Sequence, residues 1–205
     1  MNSANVSQAD PDRLRKTGRI PGAVWCPSPN FGPRPVRAGI SLLVIHNISL
    51  PPGRYGGTAI ERFFCNRLDV TEHPYFATIA HLQVSAHLLI KRNGDCVQFV
   101  SLLDRAWHAG RSAFGGQSEC NDYSIGIELE GTDEDPYAQA QYHQLAAVSR
   151  LIMTAWPEIT PARITGHCDI APGRKTDPGP AFDWQLYRNL MSARVPEISG
   201  RGPDR

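Results

Sequence analysis

The sequence has no excess charge of either sign and no pattern in its cysteines. It carries 21 Lys and Arg against 20 Asp and Glu, so its formal net charge is +1. This balance gives no strong basic field, and we therefore expect neither a nucleic acid nor a membrane surface as partner. The five cysteines are dispersed, odd in number and form no CxxC pair. They argue against a disulfide framework or a thiolate zinc site, and favour reduced thiols in a cytoplasmic protein.

Long hydrophobic runs and internal repeats are also missing from the sequence. No apolar stretch approaches the roughly 20 residues of a membrane-spanning helix. The first residues, MNSANVSQADPDRLRKTG, contain no apolar export segment and no cysteine for lipidation. The helix-borne zinc motif HExxH is absent too. We expect a soluble, cytoplasmic protein, and its 205 residues suit one domain with a sizeable core.

Composition divides the chain into three parts. Residues 1–20 are polar, and we predict that they are disordered. Residues 21–195 form the predicted domain, of which the proline-rich part 21–40 is expected to be an irregular arm across the surface. Residues 196–205 are a polar C-terminal tail. One folded domain with polar ends is therefore expected.

Hydrophobic periodicity in the domain changes several times between strand and helix. The predicted strands cover 41–46, 84–91, 96–100 and 124–130. The predicted helices cover 58–65, 136–156 and 183–191. An Asn-Gly turn joins the second and third strands into a hairpin, Thr58 and Glu61 form a capping box, and Asp135 caps the long helix. The pattern predicts the mixed α/β class: a single domain with a central mixed β-sheet flanked by helices.

One loop concentrates groups that could carry out chemistry. Between residues 166 and 180, His167, Lys175 and Asp177 lie among three prolines and three glycines, which stiffen irregular backbone and permit positive φ. His46 ends a predicted buried strand, so its ring would lie at the rim of the sheet. A zinc hydrolase binds its metal through three His or carboxylate ligands and keeps one position for water. His46, His167 and Asp177 make the best such set.

Two choices between carboxylates remain open on the residues alone. Glu128 and Glu130 lie on the same face of the strand 124–130, so either could enter a cleft as a general base. Asp169 similarly competes with Asp177 as a ligand. Lys175 and Asp177 are two residues apart, which puts them on the same side of an extended backbone.

Four segments carry a resemblance when they are taken together. In chain order they are His46-Asn47-Ile48-Ser49, Trp107-His108-Ala109-Gly110, Asn121 to Gly131, and Gly166-His167 to Pro180. They resemble the AmpD family of zinc N-acetylmuramoyl-L-alanine amidases, whose fold is shared with peptidoglycan-recognition proteins and phage amidases. The match is collinear from about residue 24 to residue 190, and four motifs in order are far more specific than any one of them.

The resemblance implies roles for individual residues. It implies zinc held by His46, His167 and Asp177, with Glu128 as the proton-transferring base and Lys175 as the group that stabilises the oxyanion. The implied substrate contacts are Asn47, Tyr55, Trp107, His108 and Arg174. Gln83 and Glu119 stand where some relatives have basic residues, a departure that concerns recognition of a peptide carboxylate and not hydrolysis.

The implied activity is hydrolysis of the amide between the lactyl group of 1,6-anhydro-N-acetylmuramic acid and L-alanine in muropeptides. It would serve peptidoglycan recycling in a bacterium, with an indirect influence on β-lactamase induction. The expected partner is this small anhydro-muropeptide, and the expected state is a monomer. The alternatives are a broader peptidoglycan amidase, which the lack of an export signal disfavours, and a non-catalytic muropeptide-binding module, which the retained ligands and catalytic pair disfavour.

Overall fold

The computed structural model describes residues 10–193. Its strands are β1 (Val24–Trp25), β2 (Phe31–Gly32), β3 (Leu42–Ile48), β4 (Leu88–Ile90), β5 (Cys96–Gln98), β6 (Arg105–Ala106), β7 (Ala113–Phe114), β8 (Gln117–Ser118), β9 (Ser124–Glu130) and β10 (Ile164–Gly166). Its α-helices are α1 (Pro11–Thr17), α2 (Ala59–Phe64), α3 (Pro74–Ile79), α4 (Gln139–Ala155), α5 (His167–Ile170) and α6 (Trp184–Ser192). Within this range, no helix is long and apolar enough to span a bilayer.

Six strands form one mixed sheet in the order β1-β5-β4-β9-β3-β10. β4, β9, β3 and β10 run parallel to one another, whereas β5 is antiparallel to β4 through the predicted hairpin and β1 extends parallel to β5. Helices cover the sheet. The predicted class, a mixed α/β domain with a central mixed sheet flanked by helices, is confirmed.

The two faces of the sheet have different tasks. Ile125, Ile127 and Leu129 of β9 belong to a hydrophobic cluster with α4 and α6. A second cluster packs Phe residues of α2 and α3 against the opposite face of β4 and β5. Beside that second cluster, His46 of β3 and Glu128 of β9 are partners in the parallel register and therefore share a face. The face opposite the long helix thus carries the polar groups.

The prediction of disorder at the N-terminus is wrong for residues 10–20. Asp10 caps α1 by accepting a hydrogen bond from the backbone of Asp12 at 2.9 Å, and Gly18 ends the helix in the left-handed conformation, at φ 61°. Leu14 is only 1% exposed, and Arg15 donates to the last carbonyls of α4. A helix this short is unstable alone, so its packing on α4 is what orders it. Residues 1–9 and the predicted tail, 196–205, lie outside the described residues.

The predicted start of the long helix is also wrong. The helix α4 begins at Gln139 rather than next to Asp135, because a buried side chain from its own first turn acts as the cap. The amide oxygen of Gln141 accepts from the backbone of Ala138 at 3.0 Å, and its nitrogen donates to the carbonyls of Ile90 and Glu130 at 3.1 and 3.0 Å. These bonds tie the helix to β4 and β9. The Asp135 carboxylate instead accepts a hydrogen bond from the hydroxyl of Tyr55.

The helix α2 occupies most of the range predicted for it, but the capping box does not form. Thr58 makes no side-chain bond to the helix N-terminus. Glu61, the other member of the predicted box, pairs with Lys91 after β4. An ion pair between two elements has therefore replaced a local cap. The last helix, by contrast, starts as predicted, with Asp183 accepting from the backbone of Leu186 at 2.8 Å.

Candidate metal centre and active-site cleft

A cleft of about 780 Å³ opens on the polar face, where the parallel strands β3, β9 and β10 end. His46 and Glu128 line its floor. Phe63 and Phe64 of α2 form part of one wall, and the loop that follows α5 forms another. This volume lies within the roughly 300–1,000 Å³ typical of small-molecule sites.

Three side chains converge at the floor of this cleft. Nδ1 of His46 lies 3.0 Å from Nδ1 of His167 and 2.9 Å from Oδ2 of Asp177, and the same oxygen lies 3.1 Å from Nδ1 of His167. Both imidazoles are buried, at 1% and 3% exposure. The structure therefore brings the predicted ligand set together.

The fold explains this convergence. His167 follows β10, whose last residue, Gly166, is paired in register with Ile45 of β3, so the two histidines leave neighbouring strands at the same level. The loop returns to this point because the backbone of Cys168 donates to the carbonyl of Asp177 at 2.9 Å. Residues more than a hundred positions apart thus meet at one edge of the sheet.

The chemistry of this group fits a divalent metal ion. Nε2 of His167 lies 3.0 Å from the carbonyl oxygen of Ala109, which can only accept, so that nitrogen carries the ring proton and Nδ1 presents a lone pair. Burial is the largest cause that lowers the pKa of His46 to about 4, so its ring is neutral at pH 7. Burial opposes ionisation of Asp177, but the two imidazoles at its Oδ2, those of His167 and His46, outweigh it and hold the pKa of Asp177 below its ordinary value. Neutral imidazole nitrogen and ionised carboxylate oxygen are ligands that zinc prefers.

The rival carboxylate Asp169 points away from this centre. Its Oδ2 accepts from the hydroxyl of Thr165 at 2.8 Å and from the backbone of Gly166 at 2.9 Å, which ties the start of α5 to β10. The structure thus gives Asp169 a local hydrogen-bonding task and places Asp177 at the histidines.

Glu128 and Glu130 also separate clearly. Glu130 accepts backbone hydrogen bonds from Gly56 at 2.6 Å and from Arg92 at 3.0 Å. Glu128 is 8% exposed, lines the cleft, and its Oε2 has no hydrogen-bond partner among the described residues. Burial raises the pKa of Glu128 well above its ordinary value, Asp177 adds to the rise, and Lys175 opposes it. A buried carboxyl group with a free oxygen is suited to proton transfer.

Lys175 lies at the rim of the cleft and is exposed. Its backbone donates to the carbonyl of Ala171 at 3.1 Å, which fixes the turn after α5. The neighbouring Arg174 also lines the cleft, but it donates to the carbonyls of Ala109 and Arg111, both at 2.7 Å. Arg174, expected to contact substrate, therefore braces the loop around Ala109 with its guanidinium.

The other residues expected to contact substrate differ in position. Asn47 and Trp107 line the cleft, although the Asn47 amide donates to Asp133 at 2.8 Å and to the carbonyl of Pro178 at 3.1 Å. Tyr55 lies outside the cleft lining and donates to Asp135 at 2.5 Å. His108 borders the cleft, but both its ring nitrogens face protein groups, as described below.

The two departures from the family pattern lie apart from the metal-binding group. Gln83 is exposed, between two residues that line the cleft. Glu119 is exposed, adopts a left-handed conformation at φ 56°, and faces Arg105 at 3.4 Å. Neither belongs to the cleft lining.

Sequence reasoning missed several residues of the cleft and its support. Tyr75 and Leu82, on and after α3, line the cleft with large exposed apolar side chains. Asn121 is buried, and its Oδ1 accepts from the backbones of His108 and Ala109 at 3.1 and 2.8 Å. The adjacent aromatic residues in the first turn of α3 are a local signal for Tyr75. The task of Asn121 depends on contacts between separate segments, which a single sequence does not reveal.

Three converging donors beside a buried carboxyl group in an open cleft are the arrangement of a metallohydrolase. The model of the N-acetylmuramoyl-L-alanine amidase family matches residues 36–180, and the chain belongs to that family. It is 55% identical over 179 residues to the 1,6-anhydro-N-acetylmuramyl-L-alanine amidase AmpD of Escherichia coli (strain K12), covering 87% of this chain and 97% of that protein.

Solved structures agree with this assignment. A crystal structure of a selenomethionine derivative of AmpD superposes with a TM-score of 0.83 at 55% identity, covering 85% of this chain and 97% of that one. The amidase AmiD from E. coli, in complex with the substrate anhydro-N-acetylmuramic acid-L-Ala-D-γ-Glu-L-Lys, superposes with a TM-score of 0.55 at 31% identity, covering 83% and 68%.

Proposed function

We propose that this protein hydrolyses the amide between the lactyl group of 1,6-anhydro-N-acetylmuramic acid and L-alanine in muropeptides. The observation that carries the proposal is the 55% identity to an amidase named for this anhydro substrate, over 97% of that relative's length.

The proposed domain covers residues 10–195. Its predicted start at residue 21 is moved to residue 10, because α1 packs on α4. We also propose a cytoplasmic monomer that acts in peptidoglycan recycling, with an indirect effect on β-lactamase induction.

The proposed cofactor is one zinc ion, held by Nδ1 of His46, Nδ1 of His167 and Oδ2 of Asp177. These three atoms lie 2.9–3.1 Å from one another, and a single cation among them would satisfy all three. When bound, zinc would lower the pKa of a water molecule toward about 7 and polarise the carbonyl of the scissile amide.

Glu128 is proposed to move the proton. Its unpartnered Oε2 would accept a proton from the attacking water and deliver it to the amide nitrogen as the C–N bond breaks. The products would be the lactyl carboxylate and a peptide with a free L-alanine amine. Burial of Glu128 supports this role, because a raised pKa brings a carboxyl group closer to the operating pH.

Lys175 is proposed to stabilise the negative charge that develops on the carbonyl oxygen. Two observations support this role: its ammonium group is at the rim of the same cleft, and its positive charge opposes the rise in the pKa of Glu128. Asn47 and Trp107 are the proposed substrate contacts in the cleft, the indole providing a face on which a sugar ring can stack.

Product analysis tests the proposal. The purified protein, loaded with one equivalent of zinc, is incubated with an anhydro-muropeptide and, separately, with intact peptidoglycan, and the products are identified by mass spectrometry. We expect anhydro-N-acetylmuramic acid and free peptide, loss of cleavage with a chelator, and recovery when zinc is added. Absence of cleavage by the zinc-loaded protein would reject the activity, and faster release from intact peptidoglycan would reassign it to the broader amidase.

A further inference from the structure

The loop Trp107–Ala109 lies directly behind the two histidines of the candidate metal centre. Nδ1 of His108 is 2.9 Å from Nε2 of His46, and the carbonyl oxygen of Ala109 is 3.0 Å from Nε2 of His167. Consecutive residues of one loop thus face the outer nitrogens of both imidazoles. We propose that His108 is a positioning residue. Its Nδ1 accepts a hydrogen bond from the Nε2–H group of His46, which keeps the proton of His46 on Nε2 and directs the Nδ1 lone pair of His46 to the metal.

The argument starts from the proton on His46. If Nδ1 binds zinc, a neutral imidazole must carry its proton on Nε2. This ring is 1% exposed, so water cannot accept that proton and a protein group must. Nδ1 of His108 is the group at hydrogen-bonding distance. His108 therefore has to present a lone pair on Nδ1 and carry its own proton on Nε2.

The surroundings of His108 support that tautomer. Its Nε2 lies 3.1 Å from the hydroxyl oxygen of Ser124, the first residue of β9, and a hydroxyl oxygen can accept. The result is a chain of hydrogen bonds from His46 through His108 to Ser124. The inference rests on the proposed metal site, because these hydrogen bonds orient a ligand only if Nδ1 of His46 binds the metal.

The space for the His108 ring is built into β9. A Cβ atom on Gly126 would lie 2.4 Å from Cγ of His108, so only glycine leaves room for this ring against the strand. On the backbone side, Oδ1 of Asn121 accepts from the amides of both His108 and Ala109. The loop is therefore held at both its backbone and its side chain, as positioning a ligand requires.

Two substitutions of similar shape separate acceptance of the proton from mere packing. His108→Asn and His108→Leu both remove the ring and leave branched side chains, but only Asn carries an oxygen at the δ position, where it can replace Nδ1. Zinc affinity is measured by competition with a chromophoric chelator, together with the melting temperature of the metal-free protein. His108→Leu should bind zinc about 10- to 100-fold more weakly. His108→Asn should recover to within about threefold of wild type.

The outcomes are distinct. If wild type binds no zinc, the proposed metal site itself fails; if wild type binds zinc and folded His108→Leu binds it equally well, only the positioning role fails. Equal losses in the Asn and Leu variants would also overturn it, since they would indicate packing. Should His108→Leu not fold, Ser124→Ala decides, because it removes only the far end of the chain: a measurable loss of zinc affinity supports the inference, and an unchanged affinity rejects it.

Discussion

Glu128 and Glu130 share one face of β9 but meet different groups. Glu128→Ala should retain zinc and fold while losing roughly 10²- to 10⁴-fold in turnover, because it removes the proton-transferring group. Glu130→Ala is the matched control, which should keep the rate of turnover but lower the free energy of unfolding. The backbone amides of Gly56 and Arg92 lose their acceptor, and each loss should cost about 1–3 kcal/mol of stability. Single-turnover rates, zinc content and denaturant unfolding on the same preparations measure all three effects. A larger loss of rate in Glu130→Ala would exchange the two assignments.

Lys175 is the second residue whose role can be isolated. Lys175→Met should lower the rate by the equivalent of about 2.7–4 kcal/mol while changing substrate affinity less, because the ammonium acts on charge that develops only in the transition state. Zinc content and melting temperature should stay normal, since the side chain is exposed and the nearby carboxylates of Asp169 and Asp177 have other partners. Loss of zinc would instead assign Lys175 to support of the loop, and normal turnover would reject a catalytic role.

Among the elements, α1 lies in the segment that was predicted to be disordered. Its stability depends on Leu14, which is buried against the core, so Leu14→Ala should lower the free energy of unfolding by about 2–5 kcal/mol. Arg13→Ala, on the exposed side of the same helix, is the control and should change it by less than about 0.5 kcal/mol. Equal effects of the two substitutions in urea unfolding would mean that α1 does not pack on the domain in solution.

Local patterns predicted elements well where the signal was itself local. The strand β9 has the predicted bounds, and the hairpin of β4 and β5 forms around its Asn-Gly turn, although its strands are shorter than predicted. The start of α4 could not be predicted, because Gln141 caps it through partners on β4 and β9. The choice between Glu128 and Glu130 had the same limit: the donors to Glu130 come from distant segments.

At the scale of the whole molecule, the site depends on one edge of the sheet. The parallel pairing of β10 with β3 and of β3 with β9 sets His167, His46 and Glu128 at neighbouring positions. The loop after α5 then adds Asp177 and Lys175, and the loop before β7 adds the groups behind the histidines. The centre therefore depends on four separate segments, and the motifs that supply its residues are spread across most of the chain.

Burial of neutral histidines in this arrangement makes the stability of the whole domain depend on pH. Burial is the main cause that lowers the pKa of His46 to about 4 and that of His87 to about 3, whereas both protonate near 6.5 in an unfolded chain. Between about pH 6.5 and 4, the unfolded chain binds protons that the native state excludes. Acidification therefore favours unfolding, by up to about 1.4 kcal/mol per pH unit for each excluded proton.

Urea unfolding of the metal-free protein between pH 7 and pH 5 measures this dependence without a contribution from loss of zinc. The free energy of unfolding should fall steadily as the pH is lowered. Glu128, whose pKa burial raises, takes up a proton in the native state on acidification and opposes this trend, so the profile is also measured in Glu128→Gln. A flat profile in that variant would show that His46 and His87 are protonated as readily in the native state as in the unfolded chain. That result would also contradict the neutral imidazole at His46 on which the proposed zinc coordination depends.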